Sequence, residues 1–346
     1  MESIVKNREV VLVSYFEGGP VTEHHLTIRE TQMDINGCKE GEVAVQNLWI
    51  AVDPYIRWLM ESPDRSIYFQ NYELNQPITS DVVGKVVASA YLGLEVGDMV
   101  TGIYQVSEYS IVAGSSLKKL DTRFVKPSYY LGPLGMGGLT AWLGMVLIGN
   151  PKPGEEVFVS AAAGAVGLLA AQLAKSKGCR VVGSVGSEEK VKVLREEFGL
   201  DDAFNYKSET DWNAALSKYF PRGIDIYFDN VGGGMLEAAL NHMKMNARIS
   251  LCGMISQYNM KDWKESYGVK NLMNLLLKCA KMQGFLVTEY WNYRDEFMEE
   301  VRGYMKEGKI KYREDVKQGL DSFCEALNAV YSGGNIGKAI VQVRHP

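Results

Sequence analysis

Val157-Phe158-Val159-Ser160-Ala161-Ala162-Ala163-Gly164-Ala165-Val166-Gly167-Leu168 runs from residues of strand type into a small, glycine-containing turn. A helical pattern then continues through Leu169, Leu173 and Ala174 to a stop at Gly178. Strand, turn and helix in that order form the context in which a dinucleotide phosphate is gripped. The helix N-terminus offers unpaired N–H groups and a partial positive charge, and small residues let the backbone approach a pyrophosphate. The spacing Ala161-x-x-Gly164-x-x-Gly167 varies the usual G-x-G-x-x-G. Glycines alone would equally suit a close-packed turn; the flanking strand and helix favour a nucleotide.

The next segment of chain agrees. Arg180-Val181-Val182-Gly183-Ser184-Val185 reads as a second buried strand. A site that prefers NAD places Asp or Glu at the end of that strand, on the ribose 2′-hydroxyl. Here the strand ends in Gly186-Ser187, with Lys190 on the next helix. A hydroxyl and a cation suit a 2′-phosphate, so the expected cofactor is NADPH/NADP+ rather than NADH. Taken alone, Lys190 reads as a solvated helix lysine; its position after the second strand favours phosphate contact.

Toward the C-terminus, strands and helices alternate. Asp202–Tyr206, Ile224–Asp229 and Arg248–Gly253 read as strands, with helices around Asp211–Tyr219 and Met235–Met243 between them. The alternation predicts a doubly wound parallel sheet with right-handed crossovers, a Rossmann-type α/β fold. A helix around Asn271–Lys281 precedes a last strand near Met282–Val287, and Lys309-Ile310 restarts strand character after a helix near Tyr293–Glu307. Asn150-Pro151-Lys152-Pro153-Gly154 is a breaker before the first strand of this domain. Upstream, Pro127–Gly149 looks helical, but Leu134–Trp142 is too glycine-rich for a plain core helix. Close approach of the backbone to a ligand and tight helix packing both explain it.

The first third of the chain is different. Val10–Val13, Glu42–Ile50 and Asp81–Val87 are β-rich, separated by turn signals such as Gly18-Gly19-Pro20, Asn36-Gly37 and Gly97-Asp98. An antiparallel, partly barrel-shaped domain is expected, rejoined by the alternating C-terminal Ala339–Val343. The expected division is residues 1–126 with 310–346 for the β-rich substrate domain and 127–309 for the nucleotide domain.

Composition narrows the function classes. A chain of 346 residues has room for two cores. A net charge of −5 argues against nucleic acid and anionic membranes as partners, and no apolar run reaches membrane-spanning length. Met1-Glu2-Ser3 leads into charged residues with no apolar core, so no secretory leader is expected. The five cysteines, Cys38, Cys179, Cys252, Cys279 and Cys324, show no C-x-x-C pair, which fits reduced thiols in a cytoplasmic protein. The histidines His24, His25, His242 and His345 have no partner at ligand spacing, so no metal is expected.

Taken together, these residues resemble the medium-chain dehydrogenase/reductase superfamily, in the zinc-independent branch of plant NADPH-dependent 2-alkenal (double-bond) reductases and mammalian prostaglandin reductases. The resemblance spans nearly the whole chain. It rests on Val52-Asp53-Pro54-Tyr55-Ile56-Arg57, the Ala161–Gly167 turn, Gly183-Ser184 to Lys190 and Phe204-Asn205-Tyr206. Phe228–Gly233, Cys252–Asn259 and Gly334-Asn335-Ile336-Gly337-Lys338 complete it. The zinc alcohol dehydrogenases of the superfamily carry a G-H-E motif near Ser80–Gly84 and a four-cysteine loop; both are missing here, so a Lewis-acid route is not expected.

The resemblance implies a GroES-like catalytic domain beside the Rossmann domain, a homodimer joined through sheet edges, and reduction of the C=C bond of α,β-unsaturated aldehydes and ketones. It implies cofactor contacts at Pro54, Met136, Thr140, Gly164, Ala165, Val166, Gly167, Gly186, Ser187, Lys190 and Tyr206. Asn230, Cys252, Tyr258, Phe285, Leu286, Val287 and Asn335 extend that set. Tyr258 is the implied catalytic residue, a hydrogen-bond donor to the carbonyl oxygen as an enolate forms. Tyr55, Asp81 and Tyr290 are the expected substrate contacts, with Trp291 beside them. The sequence departs from the plant branch at Trp58 and in the acidity of Asp81, which bears on substrate preference. A quinone reductase of the same superfamily, or a nucleotide-binding protein without activity, are the alternative readings.

Overall fold

The structure is a computed structural model that describes residues 3–65, 71–260 and 263–345; Met1 and Glu2, part of the leader reading, lie outside them. The chain folds as two compact units, Met1–Gly132 with Glu314–Pro346, and Pro133–Arg313. The division expected from sequence falls at 126/127 and 309/310.

In the first unit the strands are β1 (Ile4–Leu12), β2 (Leu26–Asp34), β3 (Glu42–Ala51), β4 (Thr79–Ser89), β5 (Met99–Gln105), β6 (Tyr109–Ala113) and β7 (Lys118–Lys119). The second unit holds β8 (Glu156–Val159), β9 (Arg180–Val185), β10 (Asp202–Asn205), β11 (Ile224–Asp229), β12 (Met243–Leu251) and β13 (Lys281–Gly284). The chain then returns to the first unit with β14 (Glu314–Gln318) and β15 (Lys338–Gln342). The helices, in order, are α1 (Tyr55–Leu59), α2 (Met136–Trp142), α3 (Ala165–Ser176), α4 (Glu188–Glu196) and α5 (Trp212–Tyr219). They are followed by α6 (Gly233–Asn241), α7 (Met273–Leu277), α8 (Arg294–Lys306) and α9 (Phe323–Ser332).

A seven-stranded sheet in the order β14-β15-β3-β4-β5-β7, with β6 also on β3, builds the first unit, and β1 pairs with β2 beside it. The sheet keeps two edges, so its barrel character stops short of closure. β3 is buried along most of its length because it is paired on both sides and faces a core that includes Val10, Leu12, Val43, Val45 and Ile50. The antiparallel register Ile340↔Ala51 brings the C-terminal strand back onto β3. Within this unit Arg57 is buried, 1% exposed, with its guanidinium over the rings of Phe16 and Tyr331 at 4.8 and 3.2 Å. Its Nη1 donates to Gly19 O, and the Tyr331 hydroxyl donates to Pro54 O. These contacts pin the short helix α1, and with it Tyr55.

The second unit is a six-stranded sheet in the order β10-β9-β8-β11-β12-β13, every pair parallel. That is the Rossmann order, whose direction reverses between β8 and β11. Phe158 explains why the sheet core holds: its ring stacks on Tyr227 at 4.7 Å and on Phe204 at 6.0 Å, and meets Phe220 edge-on at 5.7 Å. Within the glycine-rich stretch, packing accounts for Gly138 but not for Gly137. A Cβ at Gly138 would stand 2.9 Å from Phe297 Cζ, whereas one at Gly137 would meet only Val166 Cγ2 at 3.8 Å. α2 then runs on as a π-helical stretch, Leu143–Gly149.

Two sequence expectations need correction. Lys309-Ile310 forms no strand: both backbone N–H groups return to Tyr304 O, closing α8, and Ile310 is buried there. The helix expected over Asn271–Lys281 is only Met273–Leu277, because Ala280 N bonds back to Leu275 O and Cys279 takes a left-handed φ of +48°.

Candidate active site

The turn after β8 is built for close approach. Ala161 takes φ +49°, the Gly164 N–H donates to Ala161 O at 3.0 Å, and Ala162 N–H reaches Ser184 O on β9. Gly164 caps α3 without a side-chain bond, so the N–H groups of Ala165, Val166 and Gly167 open the helix with no carbonyl before them in it. A Cβ at Gly167 would stand 2.5 Å from Ala161 O and 3.0 Å from Ala162 Cα. Only glycine lets the helix start so near the turn. This cradle of backbone donors fits a pyrophosphate.

At the ends of β9 and β10, Ser187 caps α4, its hydroxyl accepting from Lys190 N at 3.3 Å. Lys190 is buried, 8% exposed. Tyr206 is held by its N–H to Val185 O at 2.9 Å and by Trp212 Nε1 donating to its carbonyl at 3.1 Å. The place a Cβ would take on Gly186 lies 3.4 Å from the Tyr206 hydroxyl and 3.5 Å from Lys207 Nζ. Lys207 carries no signal in the sequence. On a strand neighbouring side chains point to opposite faces, but both 206 and 207 follow the strand, where that alternation lapses.

The ends of β11 and β12 form one polar network around Asp229, which is fully buried. Its Oδ1 accepts from Val231 N, Gly232 N, the Ser160 hydroxyl and the Tyr227 hydroxyl, at 2.9, 2.9, 3.2 and 2.7 Å. Burial nevertheless raises this carboxyl above its ordinary pKa. Its backbone carbonyl accepts from Cys252 N and Gly253 N. Asn230 donates its amide to Ser160 O at 2.7 Å, which ties the end of β11 to the turn after β8. Burial, with the Asp229 charge behind it, pushes the Cys252 thiol up to about 12, so it stays protonated.

Tyr258 follows this network directly. The Met254 N–H donates to its hydroxyl oxygen at 2.8 Å, and a Cβ at Gly253 would stand 3.0 Å from that oxygen. Burial raises the phenol above its ordinary pKa, against the opposing effect of the Met254 bond, so it is a neutral donor at physiological pH. Past β13, Phe285 lies against Gly144, where a Cβ would meet its ring at 2.7 Å, and Leu286 and Val287 lead into the turn bearing Tyr290. Tyr290 and Tyr293 have ring centroids 6.3 Å apart, and Tyr293 adjoins Trp142. On α2 the Thr140 hydroxyl donates to Met136 O at 2.8 Å.

Pro54, Tyr55, Asp81 and Asn335 belong to the first unit. The Tyr55 hydroxyl donates to Asp81 Oδ2 at 3.4 Å. Burial first, then the neighbouring Asp53 charge, pushes the Asp81 carboxyl up to about 6, while the Lys338 ammonium pulls the other way. Lys338 is itself buried, paired with Asp53 and bonded to Val52 O. Asn335 Nδ2 donates to Gly337 O at 2.8 Å, shaping the loop that delivers Lys338. Among the described residues no three His, Cys, Asp or Glu side chains are grouped to hold a metal ion.

Two family models match: one described as the N-terminal domain of oxidoreductase over residues 8–120, the other as zinc-binding dehydrogenase over residues 165–303. The chain is 46% identical to the 2-alkenal reductase (NADP(+)-dependent) of Nicotiana tabacum, covering 99% of both. The chain belongs to the medium-chain dehydrogenase/reductase superfamily, in the alkenal and prostaglandin reductase family of oxidoreductases. It is also 44% identical to (+)-pulegone reductase of Mentha piperita, over 98% of this chain and 99% of that one. A crystal structure of CurA from Vibrio vulnificus in complex with NADPH superimposes with a TM-score of 0.90 at 36% identity, over 98% of this chain and all of the other.

Proposed function

We propose that the chain uses NADPH to reduce the C=C bond of α,β-unsaturated aldehydes and ketones. The observation that carries this is the Tyr258 phenol, bonded by Met254 N–H, in the same row of strand ends as the Gly164–Gly167 cradle. When bound, NADPH supplies the hydride that adds at the β-carbon. The N–H groups of Ala165, Val166 and Gly167 hold the pyrophosphate; Ser187, Lys190 and Tyr206 hold the 2′-phosphate beside Gly186. Asn230 keeps its amide oxygen for a donor, and the backbone of Phe285–Val287 fixes the carboxamide. Cys252, Met136, Thr140, Pro54 and Asn335 complete the contacts, with Tyr55, Asp81 and Tyr290 on the substrate. The first unit is the GroES-like substrate domain and the second the nucleotide domain.

Tyr258 donates to the carbonyl oxygen as negative charge gathers there. The bond from Met254 polarises its O–H and strengthens that donation. Burial keeps the phenol neutral, so it can donate to the enolate oxygen; the α-carbon then takes its proton from water or from Tyr258. The relatives in tobacco and peppermint support an enal or enone substrate by their names.

A homodimer and a cytoplasmic location complete the reading. β13 is an open sheet edge, and beside it Met273, Leu276 and Leu277 are exposed at 62, 73 and 63%. A second copy would cover such a patch. Among the described residues no helix is long and apolar enough to cross a membrane. The deciding assay follows NADPH oxidation with an aromatic enal, an aryl enone and a quinone, and identifies products by mass. The saturated carbonyl is expected; turnover of the quinone alone would overturn the substrate class, and NADPH binding without turnover would overturn the activity.

A further inference from the structure

Gly186 and the pair Tyr206-Lys207 face each other across neighbouring parallel strands. The register Asn205↔Val185 ends β10 and β9 together, so the residues just past them are side by side. The β10 turn is stapled in place: Tyr206 N–H donates to Val185 O at 2.9 Å, Lys207 N–H to Asn205 Oδ1 at 3.1 Å, and the Ser208 hydroxyl to Asn205 O at 3.0 Å. In this turn the Lys207 stem crosses over Gly186. The position a Cβ would occupy there is 3.2 Å from Lys207 Cε, 3.5 Å from its Nζ and 3.4 Å from the Tyr206 hydroxyl. An ammonium and a phenol thus converge on one point, above a residue with no side chain.

Charge points the same way. A phosphomonoester carries close to two negative charges at neutral pH, roughly −1.5 to −2, so a single lysine leaves it half neutralised. Lys190, the cation expected from sequence, is buried and its backbone is tied to the Ser187 cap. Lys207 is exposed, and among the described residues no carboxylate lies within ion-pair distance of it. On the adjoining helix, a Glu188 carboxylate oxygen lies 3.4 Å from the Ser208 hydroxyl.

We propose that Lys207 is a second cationic ligand of the 2′-phosphate, acting with the Tyr206 hydroxyl across Gly186, and that it sets the preference for NADPH over NADH. The inference rests on the reading that NADPH binds at this edge of the sheet. Gly186 contributes by its missing side chain: a Cβ would press on Lys207 Cε at 3.2 Å and make the lysine shift from the place where ammonium and hydroxyl meet.

The test compares Lys207→Ala, Lys207→Arg and Gly186→Asp in the full chain, measuring KM and kcat with NADPH and NADH, and binding of 2′,5′-ADP as a probe of the phosphate alone. Lys207→Ala should lower the NADPH-over-NADH ratio of kcat/KM roughly ten-fold, through KM, and weaken 2′,5′-ADP in parallel. Lys207→Arg should keep most of the ratio. If Lys207→Ala leaves the ratio intact while Gly186→Asp collapses it, the phosphate sits here but Lys207 is idle, and the proposal falls. If neither changes it, the cofactor reading of this edge falls too. Equal loss with both cofactors would mean a diffuse field effect and would also overturn the proposal.

Discussion

Asp229 and Asp81 are both carboxylates drawn out of water, and the two units treat them in opposite ways. At the strand ends of the second unit, one oxygen of Asp229 collects four donors, two of them backbone N–H groups. In the first unit, Asp81 has a long bond from Tyr55 and otherwise meets charges: Asp53 against it and Lys338 for it. The former is organised by backbone geometry, the latter by an electrostatic balance among side chains far apart in sequence. Burial raises both carboxyls, but the donors of Asp229 are fixed on one oxygen, whereas Asp81 depends on the charges of Asp53 and Lys338. The cofactor reading belongs to the first kind and the substrate reading to the second.

The contrast should show most strongly at Asp229. Asp229→Ala strands four donors in a dry environment and should cost roughly 4 kcal/mol of stability, read from urea unfolding. A loss under about 1 kcal/mol would mean that the network is ornamental and that Asn230 and Gly253 are held by the strands alone. The chemical end of the same network is next. Tyr258→Phe removes the O–H that Met254 polarises and should lower kcat on the order of 100-fold, with NADPH binding retained in a fluorescence titration. Wild-type turnover would put the carbonyl donor elsewhere.

Asp81 gives the smallest and most diagnostic effect. Its carboxyl titrates near pH 6, above the ordinary carboxylate value, so the folded state binds the proton more tightly than the unfolded chain. The resulting stabilisation is full below about pH 4 and is lost as pH rises through 6. Partial contact with water holds the loss to about 1–2 kcal/mol. Asp81→Asn should flatten that decline in a pH series of thermal unfolding, and should be the more stable protein above about pH 7. Parallel curves for the two proteins would show that Lys338 already neutralises Asp81.

Much of the second unit is legible in the sequence. β9 and β11 keep the limits expected for them, because buried parallel strands read as short β-branched and aromatic runs between glycine or aspartate. The strand–turn–helix order around Gly164–Gly167 is legible through its spacing and context, and α3 starts at Ala165 with Gly164 as its cap. β14 is not legible: Glu314-Asp315-Val316-Lys317-Gln318 is a polar edge strand, and its strand character comes from pairing with β15. Lys207 is hidden for a related reason, since only the hydrogen bonds of its turn direct the side chain over Gly186.

By itself, the sequence determined the alternation of elements, the small-residue turn after β8 and the Gly186-Ser187 pair that stands in place of an acidic residue at the end of β9. These are local properties, set by propensity, steric size and spacing along a few residues. Tertiary structure alone decided that Asp53, Tyr55, Asp81 and Lys338 would meet, that Asp229 would gather Ser160, Tyr227 and the turn before Tyr258, and that Arg57 would lie between Phe16 and Tyr331. Most of those contacts join residues tens to hundreds of positions apart, and their energies depend on distances and burial that exist only once the sheets have formed.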